Sequence, residues 1–127
     1  MNIQLGRAVL LVKDYDEALR FYQTNFDCKI LFDQDSSFGL RYLHIGFEGG
    51  AGIWLLKAES KEQETLIGKQ TGGQPTLVFY TSDINGLHDR LVANGVTIAM
   101  PPANNPEYSF FHCEDLYGNN LVVVQLK

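Results

Sequence analysis

Two histidines, His44 and His112, stand 68 positions apart, each inside an apolar run, LRYLHIGFE and SFFHCED. Two imidazoles brought together could hold a metal, act as an acid and base, or serve as hydrogen-bonded structural groups. Arg7 opens another apolar run, RAVLLVKD. Its guanidinium could pair with a carboxylate or stack on an aromatic ring; it could equally snorkel, or meet a carboxylate of a second subunit. The single tryptophan, Trp54, lies in AGIWLLKA. Cys28 and Cys113 are far apart and match no metal-ligand spacing, so they read as small buried reduced thiols. GKQTGGQP could present backbone amides to an anion, but it has neither the spacing of a phosphate-binding loop nor a following helix. Glu107 and Tyr108 fall in a proline-rich loop, solvated or gating.

The chain that must position these groups has 127 residues, 45% hydrophobic and 20% charged, enough for a packed core and too apolar for a disordered chain. Its net charge of −5, without a block of Lys or Arg, argues against a nucleic-acid partner. No apolar run approaches the roughly 18 residues of a membrane span. MNIQLGRAVLLVKDYD lacks a small-residue cleavage signature and reads as a first strand rather than a signal peptide, so a cytoplasmic location is expected.

Periodicity sets the elements. RAVLLVKD is a strand, and DEALRFYQTNF a helix capped at Asp14 or Asp16 with Ala18, Leu19, Phe21, Tyr22 and Phe26 on its apolar face. CKILFDQ, LRYLHIGFE and AGIWLLKA are three further strands, with Gly49-Gly50 turning between the last two. Residues 58–75 are polar and glycine-rich, a linker with a short helix around Lys61–Ile67. Then TLVFYTSD is a strand, and INGLHDRLVANG a helix capped at Ser82 or Asp83 and stopped at Gly95. VTIAM is a strand, PPANNPEY a loop, SFFHCED a strand, LYGN a turn and NLVVVQL the last strand.

The order is one sentence written twice. An offset of 69 lays Arg7 on Thr76, Val9 on Val78, Asp14 on Asp83 and Asn25 on Asn94. An offset of 68 then lays His44 on His112, Gly50 on Gly118 and Trp54 on Val122. An internal repeat of βαβββ units constrains the fold more than any single element.

VKDYDEALRFYQTNF, SDINGLHDRLVANGV and FHCEDLYGNNLVVVQ resemble, in order and spacing, the landmarks of the vicinal oxygen chelate superfamily of glyoxalase, bleomycin-resistance and extradiol dioxygenase-like proteins. Leu116 replaces the proline of the family's closing turn. The resemblance spans nearly the whole chain. It implies an α+β fold: one domain over residues 1–127 of two βαβββ modules, 1–57 and 76–127, joined by the linker 58–75. It implies a cup enclosed by the modules, and a homodimer. In glyoxalase I-like relatives a divalent metal is held by four His, Glu or Gln side chains, one from the first and one from the last strand of each module. Carried over, those positions are Arg7, Trp54, Thr76 and Val122. Arg is a fixed cation, Trp only donates and Val has no polar atom, so no metal is expected and no other cofactor is implied. A one-residue slip would turn each strand to its other face and bring up only Ile53, Leu55, Leu121 or Val123.

Stepping along the strands by twos from those four positions adds Val9, Leu56, Val78, Tyr80 and Val124. If Phe111 and Cys113 face the helix, Phe110 and His112 face the cup, and the repeat adds Tyr42 and His44. The candidate ligand-binding set is therefore Arg7, Tyr42, His44, Trp54, Thr76, Tyr80, Phe110, His112 and Val122, with no catalytic residue assigned. Aromatic walls with a few polar groups suit a small aromatic or otherwise organic molecule, as in bleomycin-resistance proteins. The alternatives are a lyase, isomerase or oxygenase with a non-standard metal, held by His44 and His112, or none, and a collapsed cup that binds nothing. Glyoxalase I activity is not expected.

Overall fold

The run RAVLLV forms strand β1, Arg7–Val12, in the computed structural model, which describes residues 1–127. Helix α1 follows at Tyr15–Phe26, then β2 (Lys29–Asp35), β3 (Arg41–Gly46), β4 (Gly52–Lys57) and the short α2 (Lys61–Leu66). The order then recurs as β5 (Pro75–Tyr80), α3 (Ile84–Ala93), β6 (Ile98–Asn104), β7 (Tyr108–Glu114) and β8 (Asn120–Leu126). Met1–Thr65 and Leu66–Lys127 are two compact units. Each carries one four-stranded mixed sheet, ordered β1-β4-β3-β2 in the first and β5-β8-β7-β6 in the second. The fold is the α+β pair of βαβββ modules. No helix is long and apolar enough to cross a membrane.

Local chemistry explains the first unit. Asp14 has extended backbone and its carboxylate accepts the Glu17 amide at 2.9 Å, capping α1. Asp16 and Glu17 in the first turn favour the positive end of the helix dipole. Asp27 ends the helix in the left-handed region, φ 57°. Ala18, Tyr22, Asn25 and Phe26 form the buried face of α1, which packs against β4. Besides Leu11, the buried apolar residues of the sheet are Leu10, Val12, Leu43, Ile45, Ile53 and Leu55. They alternate along their strands with the residues of the opposite face. Arg41 on β3 holds Asp33 on β2 through two hydrogen bonds of 2.9 Å and reaches Asp16 at 2.9 Å, tying two strands to the helix. The pairing depresses the Asp33 carboxyl and raises the Arg41 guanidinium, in both cases chiefly through their hydrogen bonds.

The second unit repeats the logic with Asp83 as the cap, accepting the Gly86 amide at 3.0 Å. Phe111, Cys113, Leu121 and Val123 are fully buried with Ile84 and Leu91 of α3. One element departs from expectation. Residues Pro101 and Pro102, assigned to a loop, lie inside β6. Proline lacks the amide that a central strand needs, but β6 is a sheet edge with register shifts between Ile98 and Met100 and between Met100 and Ala103.

The turn between β7 and β8 is built around a buried carboxylate. Asp115 accepts from the Tyr117 and Asn119 amides and from the Asn119 side chain, each at 2.9 Å. Gly118 supplies φ +90° and donates to the Asp115 carbonyl at 3.0 Å. Gly68 packs so closely on this turn that a Cβ there would lie 2.0 Å from the Tyr117 carbonyl oxygen.

Replacing Asp115 with Ala leaves those donors without their acceptor and is expected to lower unfolding free energy by about 3 kcal/mol. Urea denaturation measures it, and a loss below about 1 kcal/mol would contradict this role for the carboxylate.

Candidate functional site

In the first unit, strand register assembles one aromatic surface on the sheet face away from α1. Val9, Trp54, His44 and Phe32 are successive partners across β1, β4, β3 and β2. The Trp54 ring centroid is 5.5 Å from His44 and 6.0 Å from Tyr42, and His44 is 5.4 Å from Phe32. Four of the anticipated residues, Arg7, Tyr42, His44 and Trp54, are thus brought together.

Within its own chain Arg7 forms no ion pair with a carboxylate. Its Nε donates to His44 Nδ1 at 3.1 Å and its Nη1 to the Gly6 carbonyl at 2.8 Å. Arg7 is the register partner of Gly52. A Cβ on Gly52 would stand 3.0 Å from Arg7 Cδ, 2.8 Å from Leu31 Cδ1 and 3.0 Å from the Ile45 carbonyl, so the bare residue lets the arginine lie across β4 toward β3. Burial, and secondarily the Arg7 cation, hold the His44 imidazole below its ordinary pKa. His44 Nε2 and Trp54 Nε1 are both buried without a hydrogen-bond partner. Each such group costs about 1–3 kcal/mol relative to a satisfied one.

The second unit repeats the positions with different chemistry. Tyr80, Phe110, His112 and Val122 share the face away from α3, while Phe111 and Cys113 are buried opposite; Thr76 is the unpaired extra residue between the pairs Pro75–Asn120 and Leu77–Leu121 and is not placed on that face by the register. His112 is the register partner of Val122. Its Nδ1 meets Asn120 Oδ1 at 3.1 Å, and Phe110 lies 6.0 Å away, centroid to centroid. Thr76 Oγ1 is 3.2 Å from Thr71 Oγ1. A groove of about 410 Å³ at the ends of β5 and β8 is lined by Tyr80, Thr81, Ser82, Gln125 and Leu126, so Tyr80 alone of the anticipated set borders it.

A divalent metal does not fit the residues at the positions the family resemblance designates. Arg7 is a fixed cation with donors and no lone pair, Trp54 presents an indole N–H, and Val122 offers no lone pair. No three His, Cys, Asp or Glu side chains gather in an arrangement able to hold a metal.

Three contributors escaped the sequence reading. Phe32 reaches the aromatic face because Leu31 is an extra residue between the pairs Ile30–Ile45 and Phe32–His44. Gly52 and Asn120 were placed in the strands AGIWLLKA and NLVVVQL but given no role at the site. Gly52 and Asn120 lie 68 residues apart, so the repeat itself marked them as a divergent pair.

The chain matches the family described as Glyoxalase/Bleomycin resistance protein/Dioxygenase superfamily over residues 4–123. It is 32% identical to an uncharacterised protein of Shewanella frigidimarina (strain NCIMB 400), across 99% of this chain and 96% of that one. Among solved structures it is similar to UcmS2, with TM-score 0.82 and 23% identity over 98% of both chains. It is also similar to TnmS3, an antibiotic binding protein from Streptomyces sp. CB03234, with TM-score 0.78 and 23% identity over 99% of this chain and 98% of that one. At these identities the structural likeness establishes the fold.

The two thiols stand apart from any such chemistry. Cys28 and Cys113 are buried, and burial, reinforced by neighbouring carboxylates, pushes both up to about 12. The thiolate fraction at about pH 8 is then on the order of one in ten thousand. Ellman's reagent should label neither cysteine in the native protein and both after denaturation. Rapid native labelling would contradict their placement.

Proposed function

The chain belongs to the Glyoxalase/Bleomycin resistance protein/Dioxygenase superfamily, and we propose that it binds a small aromatic organic molecule without a catalytic metal. The observation that carries this reading is the continuous field of Trp54, Tyr42, His44 and Phe32 on one sheet face, beside a cation, Arg7, that has no carboxylate partner. Rings offer stacking surface to a planar ligand, and the cation favours negative charge or π-density. The similarity to TnmS3, an antibiotic binding protein, supports the same class of ligand. Among the anticipated residues, Arg7, Tyr42, His44 and Trp54 form the primary contact surface in this proposal. Tyr80, Phe110, His112 and Val122, with Thr76 at the strand bulge, remain the candidate residues of the second unit. The working unit in this proposal is a cytoplasmic homodimer. Phe38 (87% exposed), Ile30, Leu40 and Phe47 leave a large apolar area of the first unit uncovered in the single chain.

Equilibrium dialysis against a panel of planar aromatic compounds tests the reading. Affinity for any binder should be unchanged by EDTA and fall about tenfold or more in Trp54→Ala. Binding that requires an added divalent ion would overturn the metal-free reading. Sedimentation should give twice the chain mass, and a monomer across the micromolar range would contradict the dimer.

A further inference from the structure

The Arg7–His44 contact fixes a proton. A guanidinium has donors and no acceptor, so the His44 Nδ1 that receives Arg7 Nε at 3.1 Å carries a lone pair. The neutral ring then holds its hydrogen on Nε2. Nε2 is therefore an N–H donor, as Trp54 Nε1 always is. These are the two buried, partnerless nitrogens of the aromatic face. They sit on register partners of adjacent strands, with ring centroids 5.5 Å apart. In the other unit, His112 Nδ1 faces the Asn120 side-chain oxygen at 3.1 Å; a neutral ring that donates to that oxygen holds its hydrogen on Nδ1 and its lone pair on Nε2. The two histidines related by the repeat thus have opposite polarity, and the residues that set it are Arg7 over Gly52 in one unit and Asn120 in the other.

We propose that His44 Nε2–H and Trp54 Nε1–H form a paired donor site for an acceptor oxygen on the ligand, with Arg7 both fixing the tautomer and favouring an oxygen that bears negative charge. The inference rests on the reading that a planar ligand lies on this sheet face, and it narrows that ligand to an oxygenated aromatic, a carbonyl or carboxylate compound. Solvent does not reach either nitrogen in this conformation, so the acceptor arrives with a ligand that moves the covering side chains aside. Arg7 is a positioning residue for His44, and Gly52 is the space that permits it.

The test uses nitrogen-15 NMR of the full chain with three probes: 2-naphthoate, 2-acetylnaphthalene and 2-methylnaphthalene. Free protein should show His44 as the Nε2–H tautomer. 2-Naphthoate and 2-acetylnaphthalene should both shift the Trp54 indole and His44 Nε2 signals and bind about tenfold or more tighter than 2-methylnaphthalene, the carboxylate tightest. His44→Phe, which keeps a ring and removes the donor, should erase that preference while retaining 2-methylnaphthalene. Gly52→Ala, provided it folds, should convert part of the His44 population to the other tautomer. An Nδ1–H tautomer in the wild-type protein overturns the proposal. Equal affinity for all three probes, with the Trp54 signal moving, also overturns it but leaves the binding face standing. If no probe moves the Trp54 signal, the reading of this face as a planar-ligand surface fails, and the proposal with it.

Discussion

Arg7 lies over β4 and reaches His44 through space that a side chain at residue 52 would crowd. The parallel pairing of β1 with β4 puts Arg7 opposite Gly52, and the antiparallel pairing of β4 with β3 puts Trp54 beside His44. Backbone register and one missing Cβ therefore determine which nitrogen of His44 carries hydrogen, how the arginine charge is directed and why two indole-and-imidazole donors share one surface. Trp54 holds one of the four positions to which the family resemblance assigns a metal ligand, and its indole has no lone pair to offer there.

The two units show how far one backbone can be reused. Both cap their helix with an aspartate, both bury an aliphatic sheet face under it, and both set a parallel edge pair beside an antiparallel one. Their faces away from the helix have diverged. Val9, Trp54, His44 and Phe32 cross the first sheet where Val78, Val122, His112 and Met100 cross the second. The packed side is constrained by volume and admits few substitutions. The other side is free to change chemistry without cost to the core.

That asymmetry explains what could be read from the sequence. Helix caps, strand alternation and the repeat were legible because they follow from local rules: Asp14 and Asp83 before apolar helical runs, Phe111 and Cys113 alternating with Phe110 and His112. The common face of Tyr42, His44 and Trp54 followed from alternation plus the repeat. The bulge at Leu31 was not legible, because an extra residue in an edge strand leaves no periodic trace, and Phe32 was missed with it. The run of β6 through Pro101 and Pro102 was hidden because proline argues against a strand unless the strand is known to be an edge. The partner of Arg7 was also out of reach, since its 37-residue separation from His44 is closed only by two successive strand pairings.

Trp54 is the one tryptophan in the chain, so a single indole resonance reports on the aromatic face. The most direct measurement is to titrate binders found by an unbiased screen of planar organic compounds, in metal-free buffer, while following that resonance. Every saturable binder should move the Trp54 indole signal in step with occupancy. Saturable binders that leave the signal unmoved, or that bind only when a divalent metal is restored, would contradict metal-free binding on this face.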